Sequence, residues 1–490
     1  MRTVSLDSID SEWLRRCWHS PVLMSWLNTT ARIFSLVVIL PLVLHEFSPA
    51  EIAVFYLFSS VISIQLVVSG TFVHTFARII NYVWAGADLS RLGRHYEEWR
   101  PRSGLVVVDK PLMSDLLATM QRLFLALALL SVPLALVLGG FGLRKPISEI
   151  ADPGRAWLAW GIVVVVSPLV IYSLQFNAFL QGVDKLALEQ RWAALFAIGG
   201  SLSGALVLLL HGDLLALIVV NQLWQVAGFV RLRWLAGSIA RALGIPLASG
   251  GSNREIMRVI WPTAWRSAVG IMSAASIPVV SSLWFAQVLP TKALAELLLG
   301  MRVMNIISEF CRPPFYSRIP SLNMMRAQGD LASLVSTAKR GMRVSYLTFV
   351  ILFLLAPIVA SLGLPWIGSQ IDFPETDFWL ILGAASLLER LGAMHIQIYS
   401  TTNDIIMHWL NGWSSLIAIV LSIALSPRLG GYAFAVGLLV SMAVFFSWQA
   451  TRYSLKSLRQ GIWAFEKDVF LPAACLQLVG SVALGYWSRC

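Results

Sequence analysis

Long apolar runs separated by short polar breaks organise this chain. A helix needs about 20 mainly apolar residues to cross hydrocarbon. Such runs fall near 22–44, 51–83, 114–142, 156–181, 191–211 and 214–235. After a polar break come 257–288, 291–319, 338–363, 377–401, 404–426 and 430–453. A further run at 468–488 follows Glu466, Lys467 and Asp468, and either spans, lies flat or packs alone. The pattern predicts an all-α polytopic membrane protein with twelve spans and an open thirteenth segment.

Composition narrows the class. The 490 residues are 57% hydrophobic and only 13% charged, with a mean hydropathy of +0.72. A water-soluble domain carries about a quarter charged residues, so a single soluble core is excluded. The 34 Gly and 21 Pro are ordinary and exclude collagen-like or disordered chains. Cys17, Cys311, Cys475 and Cys490 are far apart, without metal or redox spacing, and read as packing residues. The first twenty residues lack the apolar stretch of a cleavable signal, so the first span is expected to be retained.

Charge sets an expected orientation. With the N-terminus inside, the inner loops hold roughly four times as many Lys and Arg as the outer ones. The net charge of +11 is therefore mainly a topology signal, and no basic patch on a soluble fold points to nucleic acid. Two inner segments have the spacing of amphipathic helices lying on the bilayer. One carries Trp13, Leu14, Cys17 and Trp18, and the other Leu89, Leu92, Tyr96 and Trp99.

The chain divides into a cytoplasmic tail (1–21), two six-helix bundles (22–245 and 246–455) and an extra apolar segment (456–490). A linker-like SGGS stretch, Ser249 to Ser252, stands between the bundles. Sliding the first half along the second at one fixed offset places Thr29 on Thr263, Arg32 on Arg266, Phe76 on Phe310, Arg78 on Arg312 and Tyr82 on Tyr316. Six spans per half is an even number, so the halves are expected to be parallel repeats about an axis along the membrane normal.

The order of several short motifs resembles the multidrug/oligosaccharidyl-lipid/polysaccharide (MOP) exporter superfamily, and within it the bacterial O-antigen-type repeat-unit flippases. They are Asn28-Thr29-Thr30-Ala31-Arg32, Phe55-Tyr56-Leu57 with Gly70, Ile319-Pro320-Ser321-Leu322, Gly329-Asp330-Leu331 and Gly430-Gly431-Tyr432-Ala433. The odd thirteenth segment departs from the twelve or fourteen spans usual there. The resemblance implies a MATE-like fold of two bundles that alternate access around a central cavity in a bacterial inner membrane. It implies as cargo a glycan repeat unit linked to undecaprenyl pyrophosphate, and as neighbours the polymerase or other polysaccharide assembly proteins. It implies no cofactor and no catalysis.

Charges inside the apolar runs are the candidate chemistry, because a mid-bilayer charge is costly and faces a cavity or a partner. Arg32, Arg266, Arg302 and Arg390 lead as lining for a cationic cavity. Arg78 and Arg312 lie nearer the inner face, where snorkelling competes. Guanidinium binds pyrophosphate oxygens through paired, fixed hydrogen bonds. Glu309 precedes Arg312 by three residues and suits a pair on one helix face. Glu389 is a candidate either for pairing with an arginine on another helix or for a coupling proton or cation. His74, His395 and His408 read as interior hydrogen-bonded histidines.

Two other functions remain. A cation-coupled multidrug exporter of the same fold would favour acidic lining, which the arginine excess opposes. An integral-membrane glycan polymerase or ligase would need an outer acceptor site, for which the short outer loops leave little room.

Overall fold

The computed structural model describes Trp18 and residues 21–84, 109–245, 254–327, 329–402, 404 and 406–487; for Arg32, His74 and Arg78 it describes the backbone alone. Trp13 and Leu14 of the tail, and the 89–99 pattern expected on the bilayer surface, lie outside these residues. Every regular element among the described residues is a helix. In order they are α1 (Pro21–Glu46), α2 (Pro49–Trp84), α3 (Lys110–Gly142), α4 (Arg144–Ser148), α5 (Pro153–Gly182) and α6 (Leu186–Leu209). Next come α7 (Leu214–Leu243), α8 (Arg254–Val288), α9 (Thr291–Cys311), α10 (Pro313–Tyr316) and α11 (Ile319–Ala327). The last are α12 (Leu331–Trp366), α13 (Thr376–Ser400), α14 (Met407–Leu429), α15 (Tyr432–Leu458), α16 (Ile462–Glu466) and α17 (Leu471–Trp487).

A helix occupies each apolar run. Nine among the described residues are long and apolar enough to cross a membrane. Their outward faces are rich in leucine and valine, and Leu129 (64% exposed), Val165 (72%) and Leu362 (73%) are typical. Such faces would be unfavourable in water, at about 25 cal/mol per Å² of apolar surface. In lipid they are at no disadvantage.

Short polar residues start these helices. Asp152 accepts from the Arg155 N–H ahead of Pro153, Asp213 from Ala216 N–H and Asp330 from Ser333 N–H, each satisfying an otherwise orphaned donor. Ser48 and Glu51 form a reciprocal capping box at α2. α7 ends at Gly244, whose φ of +64° suits a residue without Cβ. The helices run on through Pro133, Pro168 and Pro357.

The fold divides into two compact units. The first comprises Met1–Glu46, Val61–Gly140 and Ala151–Trp265, and the second Phe47–Ser60, Phe141–Ile150 and Arg266–Cys490. In the first, α1 packs along α6 and α5 along α7. Asn28 Nδ2 donates to Gln190 Oε1 at 2.7 Å across the first pair. One end is tied by Arg155–Asp213 at 2.7 Å and His211–Glu46 at 3.0 Å.

The second unit repeats this pairing internally. α8 lies against α14, where Asn411 Nδ2 donates to Gly270 O at 2.9 Å and Ser415 Oγ to Ser273 O at 2.6 Å. α13 packs along α15. Thus the first long helix of each half pairs with the fifth, and the fourth with the sixth.

Small residues let the second unit close up. A Cβ on Gly437 would sit 2.8 Å from Ala418 O, so only glycine permits this approach of α15 to α14. Within α15, Met442–Phe446 form a π-helical turn. The flanking serines donate outward, Ser441 Oγ to Ser414 O at 2.5 Å and Ser447 Oγ to Leu388 O at 2.6 Å. Nothing in the periodicity announced that turn.

The C-terminal segment does not pack alone. α17 lies against α12 and α13. Buried His395 on α13 meets Glu466 of α16, Nε2 to Oε1 at 2.7 Å. Lys339 Nζ donates to Ala464 O at 3.1 Å and Arg343 Nε to Asp468 O at 2.8 Å, both from α12.

Candidate functional site

The run predicted as one span at 291–319 is broken at Pro313-Pro314, and the break builds the site. Proline has no N–H to return to the preceding turn. The Arg312 N–H bonds Glu309 O and the Phe315 N–H bonds Arg312 O, which leaves Ser308 O and Cys311 O without their usual helical donors. Side chains from neighbouring helices supply them. Arg390 Nη2 on α13 donates to Ser308 O at 2.8 Å, and Ser345 Oγ on α12 to Cys311 O at 2.6 Å. Arg390 Nη1 donates in turn to Ser345 Oγ at 3.3 Å.

Arg390 is 7% exposed. Its guanidinium carbon lies 5.4 Å from the Phe349 ring centroid, in the attractive field of the ring face. Its hydrogen-bond partners are neutral oxygens, and no carboxylate comes within ion-pair distance among the described residues. The carbonyl, the hydroxyl and the ring replace part of its lost hydration, and Glu389 acts on its charge from across the same small pocket without a direct ion pair.

A small pocket opens beside it, lined by Ser308, Arg312, Tyr316, Ser386, Glu389 and Arg390. Glu389 is exposed and lines this pocket although Arg390 next to it is buried, as the 100° step between helical neighbours requires. Arg312 Nη1 meets Glu309 Oε1 at 2.5 Å across three residues, and both are about half exposed. The pocket's volume is about 30 Å³, one water's share of space. It is a polar seam, too small for a pyrophosphate in this conformation.

The structure thus gathers Arg312, Glu309, Glu389 and Arg390 in one place. Arg302 stands ten residues earlier on α9, about 15 Å along the axis. It is half-buried and within electrostatic reach of the Tyr56 hydroxyl. Arg266 is exposed on α8. Arg32 and Arg78 lie on α1 and α2.

A second buried cation escaped the sequence reading. Arg231 on α7 is 3.9 Å from Glu189 on α6, with 10% and 5% of their side chains exposed. Its guanidinium lies 4.7 Å from the Phe196 ring centroid. Glu189 also accepts from Gln190 Nε2 at 2.8 Å, and Gln190 holds Asn28. The network fastens the Asn28 motif to two further helices. The 191–211 run leaves Glu189 in a loop, but α6 begins before that run and encloses it, while Arg231 lies four residues inside the end of the 214–235 run. The signal available was a charge within one or two turns of a run's end, on each of two neighbouring helices.

No protein-family model and no curated protein matches this sequence. Solved structures do match in fold. An inward-facing multidrug resistance MATE family transporter of the MOP superfamily superposes with a TM-score of 0.61 over 89% of this chain and 99% of that one, at 13% identity. An outward-facing form of such a transporter gives 0.55 over 90% and 96%, at 14% identity. The chain has the MOP transporter fold. A third MOP transporter, from Pyrococcus furiosus and described as having a binding pocket of reverse polarity, gives 0.52 over 91% and 96% at 14% identity. The likeness covers the twelve helices of more than twenty residues found among the described residues. α16 and α17 follow the twelfth of them.

Proposed function

We propose that this protein is a membrane transporter that moves a lipid-linked oligosaccharide, carried on a polyprenyl pyrophosphate such as undecaprenyl pyrophosphate, between the leaflets of a bacterial inner membrane. The observation that carries this reading is the charge balance along the helices of the second unit. Beyond the first turns of α8, α9 and α13, Arg266, Arg302, Arg312 and Arg390 stand against Glu309 and Glu389, with Glu309 already held by Arg312 and Glu296 by Lys292. Cations in a low-dielectric surrounding attract an anionic cargo, which offsets part of their desolvation cost. The motif order in the sequence supports the same cargo. The two halves would rock in alternation so that the glycan crosses without touching hydrocarbon, and the N-terminus would face the cytoplasm. No catalytic step is needed, and a polymerase would take over the delivered unit.

A cation-coupled multidrug exporter is the second reading, favoured by the multidrug transporters among the fold neighbours. The MOP transporter described as having reversed pocket polarity is a precedent for reading cargo class from pocket charge. Deleting the gene in its native bacterium separates the readings. The flippase reading expects loss of surface glycan, build-up of lipid-linked repeat units and unchanged sensitivity to cationic drugs. Normal surface glycan with heightened drug sensitivity would favour the exporter.

A further inference from the structure

The first unit contains a second, larger pocket, of about 250 Å³, between α3, α5 and α7. This is about eight waters' worth of space. Its position along the three helices is consistent. Tyr172 lies as far along α5 from Pro153 as Arg233 lies along α7 from Leu214, and Gln121 is nearly as far from Gly142 at the end of the oppositely running α3. At the helical rise of about 1.5 Å per residue these are distances of about 28–32 Å, close to the thickness of the hydrocarbon layer. The pocket therefore lies toward the end of the unit that bears Lys110, Lys185 and Arg241, with Arg233 two residues from the end of its apolar run and Gln121 and Tyr172 deeper within theirs.

The chemistry of the lining is one-sided. Arg233 is exposed and makes no hydrogen bond or ion pair among the described residues, and no lining residue is acidic. Gln121 Nε2 donates to the Tyr172 hydroxyl oxygen at 2.8 Å. The phenol thus acts as acceptor there, and its own hydrogen is left to donate to a further group. Gln175 spends its amide on Tyr172 O at 3.0 Å and braces the same turn. Phe176 meets Tyr172 edge-on with centroids 6.1 Å apart, and Leu117, Met120 and Phe179 complete an apolar wall. One guanidinium fork and one free hydroxyl hydrogen, beside a wall fit for acyl chain, match a phosphate oxygen on a lipid.

We infer that this pocket binds the phosphate of an anionic lipid headgroup, at a site separate from the Arg390 cluster and independent of what the protein transports. The shared chemistry is a phosphate anion, with a lipid or free phosphate as its source. The test uses the purified full-length chain in non-ionic detergent. It is titrated with dioctanoyl phosphatidylglycerol, with dioctanoyl phosphatidylcholine and with inorganic phosphate, and thermal unfolding is followed. Phosphatidylglycerol is expected to raise the melting temperature. Its apparent affinity should fall about tenfold or more in Arg233→Gln, in keeping with the loss of a charge-assisted pair, and by a smaller factor in Tyr172→Phe. Tyr172→Phe loses a single hydroxyl, so the test does not hang on how Arg233→Gln folds. Binding of inorganic phosphate alone with the same Arg233 dependence would support the site and assign its source to free phosphate. Equal binding of phosphatidylcholine and phosphatidylglycerol, no binding of any of the three, or affinities unchanged in both variants would overturn the inference.

Discussion

Arg390→Met is expected to leave the protein folded and to slow export at least about tenfold. Removing the guanidinium forfeits its bonds to Ser308 O and Ser345 Oγ, each worth about 1.5–3 kcal/mol for a charged donor. It also relieves the desolvation of a buried cation, which is why apolar replacements of buried charges are often neutral. Ser345 keeps its bond to Cys311 O, so the broken turn retains one of its two donors. Melting temperature should therefore change little. The charge itself is lost. At an effective dielectric of about 20, one unit charge about 10 Å away contributes about 1.7 kcal/mol, roughly fifteenfold in an equilibrium. Arg390→Lys keeps the charge without the fork and should fall between. Export measured as surface glycan per unit of membrane-inserted protein checks this, and a fully active Arg390→Met would remove Arg390 from the functional account.

The largest loss of stability should come from His395→Leu. His395 is wholly enclosed and its Nε2 meets Glu466 Oε1 at 2.7 Å. Without the ring, the Glu466 carboxylate is left in a site 8% exposed with no partner, a defect worth about 3–5 kcal/mol. The expected readout is a marked drop in the detergent melting temperature, together with protease access to the segment that contains α16 and α17. Adding Glu466→Leu to His395→Leu should restore most of the lost stability, because it removes the stranded charge. If the double variant melts no higher than the single one, the pair is not what fastens the C-terminal helices.

Much of the architecture was legible because it is one-dimensional. Windows of apolar residues long enough to cross hydrocarbon mark the spans, and each holds a helix. Glu309 with Arg312 was legible for the same reason, since three residues apart is one helix face. What stayed hidden is tertiary. The packing pairs the first long helix with the fifth and the fourth with the sixth in each half, which the apolar runs by themselves do not specify. Pro313-Pro314 announces a break, but nothing local says that Arg390, 82 positions from Ser308, supplies the missing donor. His395 and Glu466 are 71 residues apart and belong to the unpredicted docking of the C-terminal segment. Glu189 was hidden because α6 begins before its apolar run, and Arg231, inside its own run, because nothing local says that Glu189 of the neighbouring helix meets it.

The measurement closest to the central claim is transfer of a pyrophosphate-linked saccharide lipid across the bilayer of proteoliposomes containing only this protein. A fluorescent analogue is loaded symmetrically, and its outer-leaflet pool is bleached by a membrane-impermeant reductant. Wild-type protein should let the protected inner pool become bleachable on a timescale of minutes, and Arg390→Met should slow this about tenfold or more. If wild-type vesicles protect the inner pool as fully as protein-free ones while taking up or releasing a cationic drug, the anionic-cargo account is wrong.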